Sequence, residues 1–250
     1  MTKEETMLGR HLVDLSRQAY ERGIPLYSNF LNLNEQNIFH GCASELYGAY
    51  ELFGGYEGAE RQMIAFLPDA FVFQGDYPLV CCMITPQNRR FSQELTHRDV
   101  LGSLMSLGIE RETLGDILIQ EQDIYVFCHS SIFAFIQQEL TRIRNTPVSV
   151  TAAQPGEPAC SPHLEACQGI VPSNRLDAVL AAMCRISRSQ ACDLIHRGLV
   201  FINGKQMSSP KGSCHPGEII SIRGTGRFQF LAEEGETRKG RIKISYNRYR

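Results

Sequence analysis

Six cations stand at intervals along one stretch of the chain: Arg175, Arg185, Arg188, Arg197, Lys205 and Lys211. Guanidinium and ammonium groups so placed suit charge-assisted contacts to phosphate. Ser187, Ser189 and Asn203 lie among them and could fix hydrogen bonds to backbone or sugar. Farther on, Arg238, Lys239, Arg241 and Lys243 extend the strip. The chemistry implied is the binding of a polyanion, and the phosphates and grooves of folded RNA fit it.

Local elements must hold these groups. Asn174 can cap a first helix, whose apolar face is Leu176, Val179, Leu180 and Met183 at the i, i+3, i+4, i+7 spacing. Ser187 opens a second helix with Gln190 in the capping-box position, and Ala191, Leu194 and Ile195 form its buried stripe. Gly198 can end that helix in the left-handed conformation. Leu199 to Ile202 then runs as a strand into Asn203-Gly204, a strong two-residue hairpin signal.

Other constellations are weaker. His97-Arg98-Asp99 copies a kinase catalytic triplet, but the Asn expected five residues later is Leu104, and no glycine-rich loop accompanies it. Thr96 and Asp99 instead suit a capping box. Cys160, His163 and Cys167 offer three soft ligands where zinc takes four, at no common finger spacing, so no metal is expected. Ser208 and Lys211 fit Ser-x-x-Lys, yet Pro210 argues against the helix that such a nucleophile requires.

The net charge of −2 conceals two opposite halves: residues 1–174 carry 11 Lys+Arg against 21 Asp+Glu, and residues 175–250 carry 14 against 6. Positive charge thus gathers where the phosphate contacts are expected. No apolar run approaches membrane-spanning length, and Glu4 and Glu5 interrupt any leader at the N-terminus. Nine scattered cysteines suit reduced thiols in a cytoplasm.

Earlier in the chain, residues 4–22 read as an amphipathic helix lined by Leu8, His11, Leu12, Leu15 and Ala19. A weaker helix near 35–44 precedes strands at 47–53 and 62–67, joined by a glycine-rich turn. Then come a strand at 79–85, a helix at 98–107, strands at 115–120 and 123–129, a helix at 131–143 and a strand at 147–151. This β-α-β-β-α-β order is that of the ferredoxin-like plait. Tyr125 and Phe127 share a strand face, where bases could stack, although burial of these rings is the better reading. Residues 152–173, rich in Ala, Pro and Gly, read as a linker.

At Arg175-Leu176-Asp177, Ser187-Arg188-Ser189 with Ala191, Gly198, Val200 and Asn203-Gly204-Lys205, the sequence resembles the S4-like RNA-binding domain. Adding Phe53-Gly54-Gly55, Ala59-Glu60-Arg61, His97-Arg98-Asp99 with Leu101-Gly102, Leu107-Gly108-Ile109 with Arg111, and Gly115-Asp116-Ile117, nearly the whole chain resembles the YlmH family of bacterial S4-domain proteins. That resemblance implies binding to the large ribosomal subunit carrying an obstructed peptidyl-tRNA and support of C-terminal tailing of the stalled chain. Glu218 stands where the family usually has Asp.

The expected fold class is α+β: an N-terminal α/β region over 1–75, a ferredoxin-like (RNA-recognition-motif-like) plait over 76–152, a linker over 153–173, and an S4-like (alpha-L) RNA-binding domain with a basic extension over 174–250. The expected partners are ribosomal RNA or tRNA and the large ribosomal subunit. A cytoplasmic monomer is expected, with no membrane contact, no cofactor, no metal and no catalytic residue. The rival is an RNA-modifying enzyme with a site around His97 and Asp99. A membrane-associated or cell-division scaffold ranks last, for want of a basic amphipathic helix.

Overall fold

The structure, a computed structural model, describes residues 2–68, 76–90, 92–153 and 164–249. It separates into two compact units, Met1–Ser161 and Pro162–Arg250.

The first unit begins with α1 (Lys3–Arg22), held at its start by a reciprocal capping box between Thr2 and Glu5 and ended by Gly23 at φ 65°. Its buried stripe is Gly9, Leu12, Ser16 and Ala19. His11, expected on that stripe, is exposed. Ser16 is buried instead because its hydroxyl is fully used: it donates to the Val13 carbonyl and accepts from the Tyr47 N–H. After β1 (Leu26–Tyr27), the helix α2 (Leu33–Gly41) starts at Asn32, whose side chain accepts from the N–H groups of Asn34 and Glu35. Then β2 (Ala49–Phe53) and β3 (Met63–Leu67) complete a three-stranded antiparallel sheet in the order β1-β3-β2.

A second sheet follows, built from β4 (Leu79–Pro86), α3 (His97–Ser106), β5 (Leu114–Gln120), β6 (Asp123–His129), α4 (Ser130–Glu139), β7 (Arg142–Ile143) and β8 (Thr146–Ala153). Its antiparallel order is β5-β6-β4-β8-β7. The helix expected to reach Ile143 stops at Glu139, and Ile143 turns back on Thr146 as a short strand, with Arg144 at φ 52° in the turn. Ile143 stays buried either way, so its apolar spacing could not tell helix from hairpin.

Strand periodicity gives this sheet two distinct faces. Cys82, Ile84, Ile124, Val126 and Cys128 pack under α3 and α4 with Val100, Leu104 and Ile136. Cys81, Tyr125 and Phe127 face the other way and are buried against Phe30, Tyr56 and Met63 of the N-terminal region. The regions expected to be separate at residue 75 therefore share a core. Tyr56 lies nearly parallel to Phe127, centroids 5.1 Å apart. Gly55, at φ 103°, makes this approach possible, since a β-carbon there would overlap the Phe127 ring.

The Tyr56 loop is anchored by Asp116, which accepts from the Tyr56 hydroxyl at 2.9 Å and from the N–H groups of Glu60 and Arg61 at 2.7 and 3.1 Å. Arg61 donates to the carbonyls of Leu114, Phe30 and Arg111, while Arg111 donates to those of Leu114 and Gly115. Burial first, and then the charge of Arg61, push the Arg111 guanidinium down to about 10, so it remains charged at neutral pH.

The second unit comprises β9 (Leu164–Val171), α5 (Leu176–Cys184), α6 (Arg188–His196), β10 (Val200–Ile202), β11 (Lys205–Gln206), β12 (Ile219–Ile222), β13 (Gly226–Glu236) and β14 (Ile242–Tyr249). Its six strands pair in the order β11-β10-β12-β13-β14-β9. The expected linker 153–173 therefore contains a strand: residues 164–171 pair antiparallel with β14 from Leu164↔Tyr249 to Ile242↔Val171. An edge strand holding Cys167, Gln168 and Gly169 has little β-branched character and alternates only weakly, which hid it. The core lies between this sheet and the two helices, with Leu176, Val179, Leu180 and Ile195 against Val200, Ile220, Phe230 and Ile244.

Candidate RNA interface

Asp177 organises the basic surface of the second unit. It is the second residue of α5 and only 2% exposed, yet it carries a carboxylate. Arg175, at the N-cap, donates through Nε and Nη2 to its two oxygens at 3.1 and 2.9 Å. Arg188, the first residue of α6, donates through the same two atoms at 3.0 and 3.2 Å. Burial alone would raise the pKa of Asp177, but the hydrogen bonds and charges of Arg175 and Arg188 outweigh it and hold the carboxyl below its ordinary value.

A guanidinium has two forked edges. Both arginines spend the Nε side on Asp177, which leaves the Nη1 side of each turned away from the carboxylate and suited to a bidentate phosphate contact. Two cations on one anion keep a net positive charge at the helix starts. Beside them runs the loop that carries Lys211, because the N–H groups of Leu176 and Asp177 donate to the carbonyls of Gly212 and Pro210.

The other expected residues lie on neighbouring elements of the same unit. Arg185 sits in the left-handed conformation at the C-cap of α5, and Arg197 caps the end of α6; both are exposed. Ser187 accepts the N–H of Gln190 in the expected capping box, and Ser189 is exposed in the first turn of α6. Lys205 is exposed directly after the Asn203-Gly204 turn, whose residues take φ 47° and 76°. Asn203 serves the fold: its Oδ1 accepts the N–H of Ile219 at 2.8 Å. Arg238, Lys239, Arg241 and Lys243 are exposed along the turn from β13 to β14 and its first residues. Asn174 does not cap α5. Its side chain reaches Glu233 and both backbone groups of Cys214, tying the helix start to the sheet.

Sequence reasoning missed Asp177 as the organiser. The available signal was a lone carboxylate at the second position of an otherwise apolar helix, directly after the residue that begins its apolar stripe. Arg188 is exposed, as a phosphate contact requires, and its pairing with Asp177 is an additional role that its sequence position did not signal.

In the first unit, Thr96 caps α3 and exchanges hydrogen bonds with Asp99 as expected. The Thr96 hydroxyl and then its backbone N–H lower the pKa of Asp99. Exposed Arg98, Arg142 and Arg144 surround this helix start, with Arg144 3.5 Å from Asp99. Tyr125 and Phe127 are closed to bases by Tyr56 and Phe30. Ser208 and Lys211 lie in an irregular loop. Of the soft ligands, Cys160 and His163 fall outside the described residues, and Cys167 is half-buried on β9. Among the described residues no group of three His, Cys, Asp or Glu side chains could hold a metal ion, and no helix is long and apolar enough to cross a membrane.

Residues 74–157 match the family described as "Putative RNA-binding domain in YlmH". Over 250 residues the chain is 29% identical to a "Ribosome-associated protein quality control protein P2" of Bacillus subtilis (strain 168), an alignment spanning 98% of this chain and 96% of that protein. Its fold is similar to that of the cell division protein ylmH from Streptococcus pneumoniae, with a TM-score of 0.51 at 22% identity, over 61% of this chain and 93% of that one. The matched domain is the sheet of β4 to β8 with its helices, and the relative extends the likeness through both units, so the chain is similar to YlmH-type proteins over nearly its whole length.

Proposed function

We propose that the protein binds structured RNA on the large ribosomal subunit without catalysing a reaction, through an S4-like C-terminal domain whose centre is the Arg175–Asp177–Arg188 clamp. The observation that carries this reading is the pair of guanidiniums fixed on one buried carboxylate with their outer edges unspent. Preorganised cations lose little side-chain freedom on meeting a phosphate. The surrounding exposed Arg185, Arg197, Lys205 and Lys211 extend the same surface.

The first unit supports a ferredoxin-like plait, since the strands of its β-α-β-β-α-β series lie in the order second, third, first, fourth. Because its sheet face is filled by the N-terminal region, its RNA contact falls to the edge bearing Arg98, Arg142 and Arg144. The name of the relative supports a ribosome-associated role in protein quality control; within that role, we read the chain as a cytoplasmic monomer that acts where an obstructed peptidyl-tRNA is tailed. Asp99, tied up in its helix cap, makes a poor general base, which disfavours RNA modification.

Co-sedimentation of purified large subunits with the Lys205→Glu/Lys211→Glu variant tests this. Both side chains are exposed, so the fold should survive while the bound fraction drops at least about tenfold. Undiminished binding would refute the assignment.

A further inference from the structure

We propose that the outer face of the six-stranded sheet is a second RNA site, which takes unpaired nucleotides by stacking. It rests on the reading that the ligand is RNA but uses none of the residues of the helix-side surface.

Strand alternation separates the two faces. Val200, Ile220, Ile222, Phe228, Phe230, Ile244 and Tyr246 point into the core beneath α5 and α6. Their neighbours Phe201, Ser221, Arg227 and Tyr249 point outward and form one row across four adjacent strands, in the registers Phe201↔Ser221 and Ser221↔Arg227. Phe228↔Arg248 brings Arg227 opposite Tyr249. Three strand spacings, about 14 Å, separate the ends of this row.

Two arginines lie on its rings. The Arg223 guanidinium is 4.7 Å from the Phe201 centroid, and that of Arg227 is 5.7 Å from the Tyr249 centroid while donating to Ser221 at 3.3 Å. Both leave a single tight turn, Arg223-Gly224-Thr225-Gly226-Arg227, in which Gly224 and Gly226 take φ 79° and 146°. Behind the row, Asn247 donates to Gln229 at 3.2 Å, adding amide groups on the same face.

A guanidinium plane laid on an aromatic ring offers a flat cation on which a base can stack while its phosphate is neutralised. The occupant is an unpaired strand rather than a duplex, whose bases are already stacked on one another. Glycines flanking the arginines leave the rim of the turn without bulk, so a sugar-phosphate backbone can pass close to it.

The test is binding of a fluorescent twelve-residue oligouridine to the full chain, read by anisotropy, beside the ribosome assay. Arg223→Gln/Arg227→Gln/Tyr249→Leu should weaken oligouridine at least about tenfold, as the loss of one or two stacked bases implies. Tyr249→Phe keeps the ring and should stay within about twofold of the parent. The Lys205→Glu/Lys211→Glu variant should keep most oligouridine affinity while losing the ribosome, so failure of the helix-side assignment shows only in the second assay. The inference is overturned if the parent chain does not bind oligouridine at low salt, if the triple variant binds it undiminished, or if Tyr249→Phe falls as far as the triple variant.

Discussion

Asp177 holds two arginines by its charge, and that charge is the vulnerable point. Replacing it by Asn keeps the shape but leaves Arg175 and Arg188 facing each other across a neutral amide. At pH 7 the cost to the second unit should be about 1–3 kcal/mol, the usual penalty for a buried charged bond left unmade. Because the native carboxyl titrates below its unfolded value, its contribution is complete above the ordinary carboxylate pKa of about 4 and is lost as pH falls through the native one. Melting curves of parent and Asp177→Asn should therefore converge between about pH 5 and pH 2. A constant gap across that range would mean that the carboxylate stabilises by shape alone. Arg188→Glu would place a second carboxylate beside the first, so a loss of RNA binding in that variant would report partly on folding; Lys205 and Lys211 are cleaner probes.

One element decides what the first unit can offer. The loop of Gly55 to Arg61 lays Tyr56 on Phe127 and is tied down by Asp116. Asp116→Ala should free that loop, raise amide exchange over residues 55–61 by at least about tenfold, and cost about 2 kcal/mol. Unchanged exchange there would assign the hold to ring packing instead. Gly55→Ala should be worse, because the new methyl meets Phe127 and the backbone is left-handed. Element order in this unit was legible in the sequence, since Leu79 to Pro86, the Thr96 cap and the Glu121-Gln122 turn each carry their own local signal. The covering of Tyr125 and Phe127 was only half legible. Their period of two placed them on one face, but the side chains that bury them, Phe30, Tyr56 and Met63, lie far upstream in sequence, and no local pattern reports such a pairing.

Taken whole, the chain keeps its charges apart. Residues 162–250 carry 14 Lys+Arg and 7 Asp+Glu, whereas the preceding residues are acidic. RNA binding should weaken steeply with salt, and Lys205→Glu/Lys211→Glu should lower the slope of log affinity against log salt by roughly 2, about one for each phosphate no longer neutralised. A slope equal to that of the parent would place both lysines outside the interface. The helix-side cations were readable because capping residues and a turn dipeptide fix their elements locally. The strand Leu164–Val171 was not, because the strand it pairs with, Ile242–Tyr249, lies almost 80 residues farther along. That pairing has a temporal consequence. During synthesis the strand of residues 164–171 leaves the ribosome early and must wait, with its hydrogen-bonding edge open, until residues 242–249 emerge to cover it. The second unit therefore cannot close until nearly all of it has been made. A chain stopped after residue 240 should yield a second unit that proteases degrade, beside a first unit that melts as in the parent. Full protection of the truncated second unit would show that the sheet closes without its last strand.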